Sequence, residues 1–154
     1  MPGVEAATRV LAVTDDTPSR RLGVDEIAVG DAVSQHVTFT DEMLRAFAVV
    51  ANDRAPVHND PRFARAAKFD APIIQGLALS TRFSRLIGMY LPGEGAILEK
   101  LELKYRRPTY VGQPLLYRCV VSRVLRPARV VQLAVSIASG DGDHVTGQCQ
   151  CLVR

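Results

Sequence analysis

Between Gly76 and Leu91 the chain reads GLALSTRFSRLIGMYL, a run with no proline and no acidic residue. Leu77, Leu79, Phe83, Leu86, Ile87 and Tyr90 recur there at helical spacing, with Ala78, Ser80 and Ser84 between them. The apolar positions spread over much of the helix circumference instead of forming one stripe. A helix of that kind has to be wrapped by other structure. Residues that can do the wrapping follow at once. PGEG at 92–95 stops the helix, and the hydrophobic period then changes. The runs AILEKLELKYRRPTYV, PLLYRCVVSRVL, RVVQLAVSIAS and HVTGQCQCLVR are rich in Val, Leu, Ile and Tyr, and VGQP, RPA and GDGD separate them. They read as antiparallel strands joined by short turns.

Upstream, Gly30-Asp31 marks a turn, and Val33, Gln35, Val37 and Phe39 share one face of a strand. Thr40 is a good helix N-cap, with Asp41 and Glu42 at the positive end. Met43, Leu44, Phe47 and Val50 continue at helical spacing to about Asn52, where Pro56 disfavours helix at Ala55. NDPRFARAAKF, capped by Asn59 or Asp60 with Pro61 at its start, reads as a short helix. The expected architecture is α+β, with the helices on one side of an antiparallel meander. Residues 1–20 are expected to be a poorly ordered tail or an extra edge strand around RVLAV, and residues 21–154 a single domain.

With 47% hydrophobic and 23% charged residues, the chain has the composition of a soluble domain with a real core. The net charge of +3 suits an anionic ligand without demanding nucleic acid, and no basic run accompanies the scattered aromatics. No segment approaches transmembrane length, and MPGVEAATRVLAVTDD is too acidic for a secretory signal. Cys119, Cys149 and Cys151 form an odd set that suggests reduced thiols in the cytoplasm. The Cys149-Gln150-Cys151 spacing fits neither a zinc finger nor a redox CxxC, and the two thiols are expected on opposite faces of a strand. No metal site is expected. No GxGxxG or Walker loop supports a nucleotide-binding domain.

The chemistry-bearing stretch is NDRAPVHND, residues 52–60. It places Asp53 and His58 in a proline-bearing loop between two helices, where rigid loops often hold functional groups. An Asp-x4-His pair is common enough that Asp53 capping a turn and His58 sitting in a loop is the ordinary explanation. A second loop, IIQG, opens the apolar helix directly downstream. The first N–H groups of a helix have no internal partner and can bind an anion or a polarised carbonyl. A carboxylate and an imidazole could hold and deprotonate a water. An N–H at Gly76 could stabilise an enolate oxygen. These are parts for adding or removing water beside a carbonyl.

The stretch from about Val33 to Leu125 resembles the MaoC-like, or R-specific, enoyl-CoA hydratases. The family's Asp-x-Asn-Pro-x-His motif corresponds to Asp53-Arg54-Ala55-Pro56-Val57-His58. Its His-Gly pair opening a long helix corresponds to Gln75-Gly76, and its serine two turns later to Ser84. LPGEGAI and LELKYRRPTYVGQPL also follow the family's run from helix end into the first long strand. The resemblance implies a hot-dog fold, a long central helix wrapped by an antiparallel sheet. It implies a homodimer that hydrates trans-2-enoyl-CoA reversibly to (R)-3-hydroxyacyl-CoA without a metal or other cofactor. The substrate carrier would be CoA or the phosphopantetheine of an acyl carrier protein. By the same resemblance, Asp53 and His58 activate water and protonate C2. The Gly76 N–H polarises the thioester carbonyl, and Ser84 and Gln75 support the catalytic groups. Arg82, Arg85, Lys104, Arg106 and Arg107 are candidates for the CoA phosphates.

Two departures stand out: Ala55 replaces the family asparagine, and Gln75 replaces the family histidine. They keep two other readings in play, a hot-dog acyl-thioesterase and a non-catalytic acyl-thioester-binding or partner subunit. His36, His144, Tyr105, Tyr110 and Tyr117 are expected to be structural or exposed.

Overall fold

The computed structural model describes residues 9–154, so the part of the N-terminal expectation that falls on 1–8 lies outside the described residues. Its centre is a six-stranded sheet in the order β1-β2-β4-β5-β6-β3. The strands are β1 (Val10–Val13), β2 (Ala32–Thr38), β3 (Ala96–Tyr105), β4 (Pro114–Leu125), β5 (Val130–Ser139) and β6 (Gly142–Val153). All neighbours are antiparallel except β1, which runs parallel to β2 at the edge, with Val10 opposite Ala32. The helices are α1 (Asp41–Ala51), α2 (Pro61–Ala66) and α3 (Gly76–Met89).

Local chemistry accounts for most of these boundaries. The Thr40 hydroxyl accepts from the Met43 N–H and starts α1, which ends at Asn52 in the left-handed region, φ 51°. The Asp60 carboxylate accepts from the N–H groups of Arg62 and Phe63, and Pro61 occupies the first turn of α2. Every second residue of β2, Val33, Gln35, Val37 and then Phe39, is buried as the pattern requires. β4, β5 and β6 form the meander, and each buries its alternate positions beneath α3.

Helix α3 buries Ala78, Leu79, Phe83, Leu86 and Ile87 against the sheet. The Phe83 ring meets Tyr117 of β4 edge-on at 5.5 Å between centroids, and the Tyr117 hydroxyl donates to the Leu79 carbonyl at 2.9 Å. Burial pushes the Tyr117 phenol well above its ordinary pKa, so it stays protonated and fixed. The wrapping, however, is one-sided. Leu77 is 71% exposed, and Thr81 and Ser84 on the same face are open as well. The apolar circumference is therefore shared between a face the sheet covers and a face it leaves uncovered. Val50 of α1, assigned to the apolar face by spacing, is also exposed.

The expectation for Cys149 and Cys151 is corrected. Successive side chains alternate across a strand, so positions two apart share a face. Both thiols are buried in the core, where the contact with Cys149, together with burial, raises the Cys151 thiol. Cys119 is raised by burial, and thiols held protonated in this way are poor nucleophiles. His36 is exposed and His144 is buried.

An ion pair anchors the N-terminal edge. Arg9 contacts both Asp31 oxygens, Nε to Oδ1 at 2.9 Å and Nη2 to Oδ2 at 2.5 Å. Burial pushes the Asp31 carboxyl up, but hydrogen bonds from Arg9 and the Ala28 N–H, with the charges of Arg9 and Arg20, outweigh it and hold the carboxyl below its usual range. A depressed carboxyl stabilises the fold above its unfolded pKa, about 3.9, and that contribution fades as pH falls through the lower native value. Asp31→Asn should therefore lower the urea midpoint at pH 7 and flatten its decline between about pH 5 and 2. An acid slope identical to that of the unmutated protein would refute this assignment.

Candidate active site

The site is built where two loops are stapled together. Residues 56–58 form a single 3-10 turn started by Pro56. The Ile73 N–H donates to the Val57 carbonyl at 3.2 Å, and the Ile74 N–H donates to the Thr109 carbonyl at 2.8 Å. The His58 ring bonds through Nδ1 to the Ile73 carbonyl at 2.7 Å. A carbonyl can only accept, so Nδ1 carries the proton. In the neutral ring Nε2 is then unprotonated, with its lone pair available as a base.

His58 stands between two hollows. One, of about 420 Å³, is lined by His58, Ile74, Gly76, Tyr105, Arg106 and Arg107. The other, of about 360 Å³, lies under α1 and is lined by His58, Arg45, Asn59, Pro72, Gln75 and Tyr110 among others. Gly76 is the first residue of α3, so its N–H has no intrahelical acceptor. A side chain there would crowd Tyr105. A Cβ at Gly76 would lie 2.9 Å from the Tyr105 ring, whose hydroxyl bonds the Ser80 hydroxyl at 2.7 Å.

The structure separates the other residues singled out from sequence. The Asp53 carboxylate accepts from the Ala55 N–H at 3.0 Å, capping its own turn. It faces an adjoining hollow with Arg45, Ala48 and Asn59, three residues that also line the 360 Å³ cavity. Asn59 donates to the Ala55 carbonyl at 3.0 Å and so ties the loop from its other end. Ser84 is exposed on the open face of α3, away from both His58 hollows. Gln75 is 4% exposed and belongs to the His58 cavity.

The arginines divide similarly. Arg106 and Arg107 line the hollow that holds His58 and Gly76. Lys104 lies elsewhere, over β3 and β6 with Glu102 and Gln148. Arg85 is committed to the fold. Its Nη2 bonds the carbonyls of Thr14 and Asp15 and the Tyr90 hydroxyl. Arg82 faces Asp15 at 3.7 Å. Both therefore contact the segment after β1 from α3, and neither lines a hollow that holds His58.

Two residues expected only to be structural or exposed help to frame the site. Tyr105 packs its ring on Gly76, at the start of α3. His144 binds Thr109 Oγ1 through Nδ1 at 2.9 Å and Ser139 Oγ through Nε2 at 2.9 Å. It thereby fixes the Thr109 segment to which the Ile74 loop is pinned. Neither role has a local sequence signal, because each partner lies far away along the chain.

Comparison with known proteins adds the following. The family model described as "MaoC like domain" matches residues 26–138. The chain is 30% identical over 128 residues to an "(R)-specific enoyl-CoA hydratase" of Aeromonas caviae, covering 82% of this chain and 96% of the relative. It is 34% identical over 90 residues to a mitochondrial "3-hydroxyacyl-[acyl-carrier-protein] dehydratase" of Arabidopsis thaliana, covering 58% of this chain and 53% of that one. The solved structure of an R-hydratase from Pseudomonas aeruginosa superimposes with a TM-score of 0.80 at 26% identity, covering 89% of this chain and 88% of that chain. No helix among the described residues is long and apolar enough to cross a membrane.

Proposed function

From the premise that the chain belongs to the MaoC-like dehydratase family and has its hot-dog fold, we propose that it is a hydro-lyase that adds or removes water at the 2,3-position of an acyl thioester. The observation that carries this reading is the 2.7 Å bond from His58 Nδ1 to the Ile73 carbonyl. It leaves Nε2 as the basic nitrogen of a ring that borders the hollow holding the start of α3.

In the hydration direction the steps are these. His58 Nε2 takes a proton from water as the water oxygen bonds to C3 of the enoyl thioester. The C2–C3 π electrons move toward the thioester carbonyl, whose oxygen accepts from the Gly76 N–H. C2 then takes that proton from the His58 Nε2–H, which restores the neutral ring, and the 3-hydroxyacyl thioester leaves. Asp53, whose carboxylate is already turned into the loop that carries His58, is proposed to orient the water and share the proton transfers. No resident metal or cofactor enters the scheme. Arg106 and Arg107 are proposed to meet the phosphates of CoA or of a phosphopantetheine arm.

The test is loss of the conjugated enoyl absorbance with trans-2-butenoyl-CoA, with a thiol reagent in parallel and chiral analysis of the product. The expected product is the (R)-3-hydroxyacyl thioester. Release of free CoA would mean a thioesterase, and binding without turnover a non-catalytic subunit. Asp53→Asn is expected to lower turnover at least about tenfold with the fold retained. Full activity in that variant would remove Asp53 from the scheme.

The active unit is proposed to be a homodimer. Leu77 lies on the face of α3 that the sheet leaves open, and Ile97 and Leu98 lie on the edge strand β3; all three are exposed apolar residues. An open strand edge with apolar neighbours is a ready surface for a second copy. Sedimentation at micromolar concentration should give a dimer, and Leu77→Lys should shift it toward monomer. A monomeric unmutated protein would end this part of the proposal.

A further inference from the structure

The ring of Tyr105, at the end of the edge strand β3, is 45% exposed, so the hydrophobic core does not hold it in place. Its contacts are with Gly76. A Cβ at Gly76 would lie 2.9 Å from Tyr105 Cε1 and 3.0 Å from Cζ, so the ring packs directly on the glycine Cα. The Tyr105 hydroxyl is 2.7 Å from Ser80 Oγ, and Ser80 Oγ donates to the Gly76 carbonyl at 3.0 Å. A serine hydroxyl has one proton. Ser80 commits it to the Gly76 carbonyl, so Tyr105 is the donor in the hydroxyl pair. Tyr105 thus reaches Gly76 by two routes, with its ring on the Cα and through Ser80 on the carbonyl.

Gly76 is a residue that needs such a hold. Glycine has the freest backbone, and helices fray at their ends. Gln75, in the N-cap position, makes no side-chain capping bond, so no cap fixes the opening of α3. A donor to a developing oxyanion is effective when its direction is fixed in advance, and a displacement of about 1 Å costs up to about 10²-fold in rate. Resting on the reading of the site as an acyl-thioester hydratase centre, we propose that Tyr105 is a positioning residue that, through its ring and through Ser80, fixes the direction of the Gly76 N–H toward the thioester oxygen. Tyr105 transfers no proton. It lines the hollow that His58 and Gly76 also line, so the latch belongs to the wall of the site and not to the core.

Tyr105→Phe keeps the ring and removes the donor, and Ser80→Ala removes the relay and leaves the tyrosine whole. Each should lower kcat on trans-2-butenoyl-CoA by at least about fivefold, the worth of one hydrogen bond, with KM within about twofold. The double variant should fall no further than either single one, because the same chain is broken. Butyryl-CoA labelled with carbon-13 at its carbonyl supplies a second readout. It has neither a 2,3 double bond nor a 3-hydroxyl, so it is not hydrated or dehydrated. An N–H that donates to the carbonyl lowers its stretching frequency, so the infrared band of the bound probe should lie below that of the free probe. In both variants that downshift should shrink, with little change in melting temperature. A purely structural loss would lower the amount of folded protein and leave the band of the bound probe in place.

Parental kcat and an unchanged band in Tyr105→Phe would overturn the role of Tyr105 and leave the hydratase reading standing. So would losses that multiply in the double variant, since the two hydroxyls would then act apart. An unmutated protein that turns over normally but shows no downshift would take the thioester carbonyl away from the Gly76 N–H, and this inference with it. Lower melting with an unmoved band would mark the pair as structural and overturn the proposal. Absence of both turnover and probe binding in the unmutated protein would overturn the hydratase reading and this inference together.

Discussion

Replacing His58 with alanine is expected to cut hydration of a trans-2-enoyl thioester by about 10²- to 10⁴-fold, the range that a positioned general base contributes. The structural cost should be small. His58 is only partly buried, and the side-chain bond lost is the one to the Ile73 carbonyl, worth about 1 kcal/mol. The loop keeps its other staples, including the Ile73 N–H on the Val57 carbonyl and the Asp60 N–H on the Pro56 carbonyl. The loss should therefore appear in kcat while the thermal transition moves little. His58→Gln sharpens the test, because it can still donate to Ile73 but has no basic nitrogen. Both variants should be impaired alike if proton transfer is the role. A glutamine variant that kept more than about a tenth of the parent rate would show that the ring is needed for its shape and not for its lone pair.

The elements legible in the sequence are those set by neighbours along the chain. Thr40, Asp60 and Pro61 mark their helix starts because a cap bonds N–H groups within one turn of itself. The meander was legible because its turns are short and its strands alternate. The parallel pairing of β1 with β2 was not, because nothing local distinguishes an edge strand from a tail. The exposure of Leu77 was hidden for a related reason. Periodicity shows that a helix has apolar positions all round, but not how much of the circumference one sheet can cover.

The site divides along the same line. Asp53 and His58 were identifiable as a pair, and one loop does carry both. Their spacing could not say that the Asp53 carboxylate folds back onto the Ala55 N–H while His58 turns toward Ile73. The placement of Arg82 and Arg85 depended on Asp15, Thr14 and Tyr90 coming together, which charge alone does not predict. Likewise, Gln75 could be flagged as a departure from its family, but its unpaired oxygen emerges only once the cavity around it is closed.

The second large effect concerns the N–H at the start of α3, and it can be isolated by comparing two substitutions at Gly76. Alanine adds a Cβ that would lie 2.9 Å from the Tyr105 ring, so that ring has to move. Proline adds a Cβ at the same place and also removes the N–H. Both residues suit the backbone. The first helical position tolerates proline because its N–H has no intrahelical acceptor, and proline's fixed φ is helical. The residue before a proline must be extended, and Gln75 already is, at φ −57° and ψ 131°. The Cβ contact with Tyr105 is thus common to the two variants, which differ in the N–H and in the ring carbons that replace it in proline. Loss of one preorganised donor to a developing oxyanion costs about 10²- to 10³-fold in kcat. Gly76→Pro should fall below Gly76→Ala by about that factor, with similar melting temperatures. Equal rates in the two variants would mean that the thioester oxygen is held by another donor, and that the opening of α3 serves the fold alone.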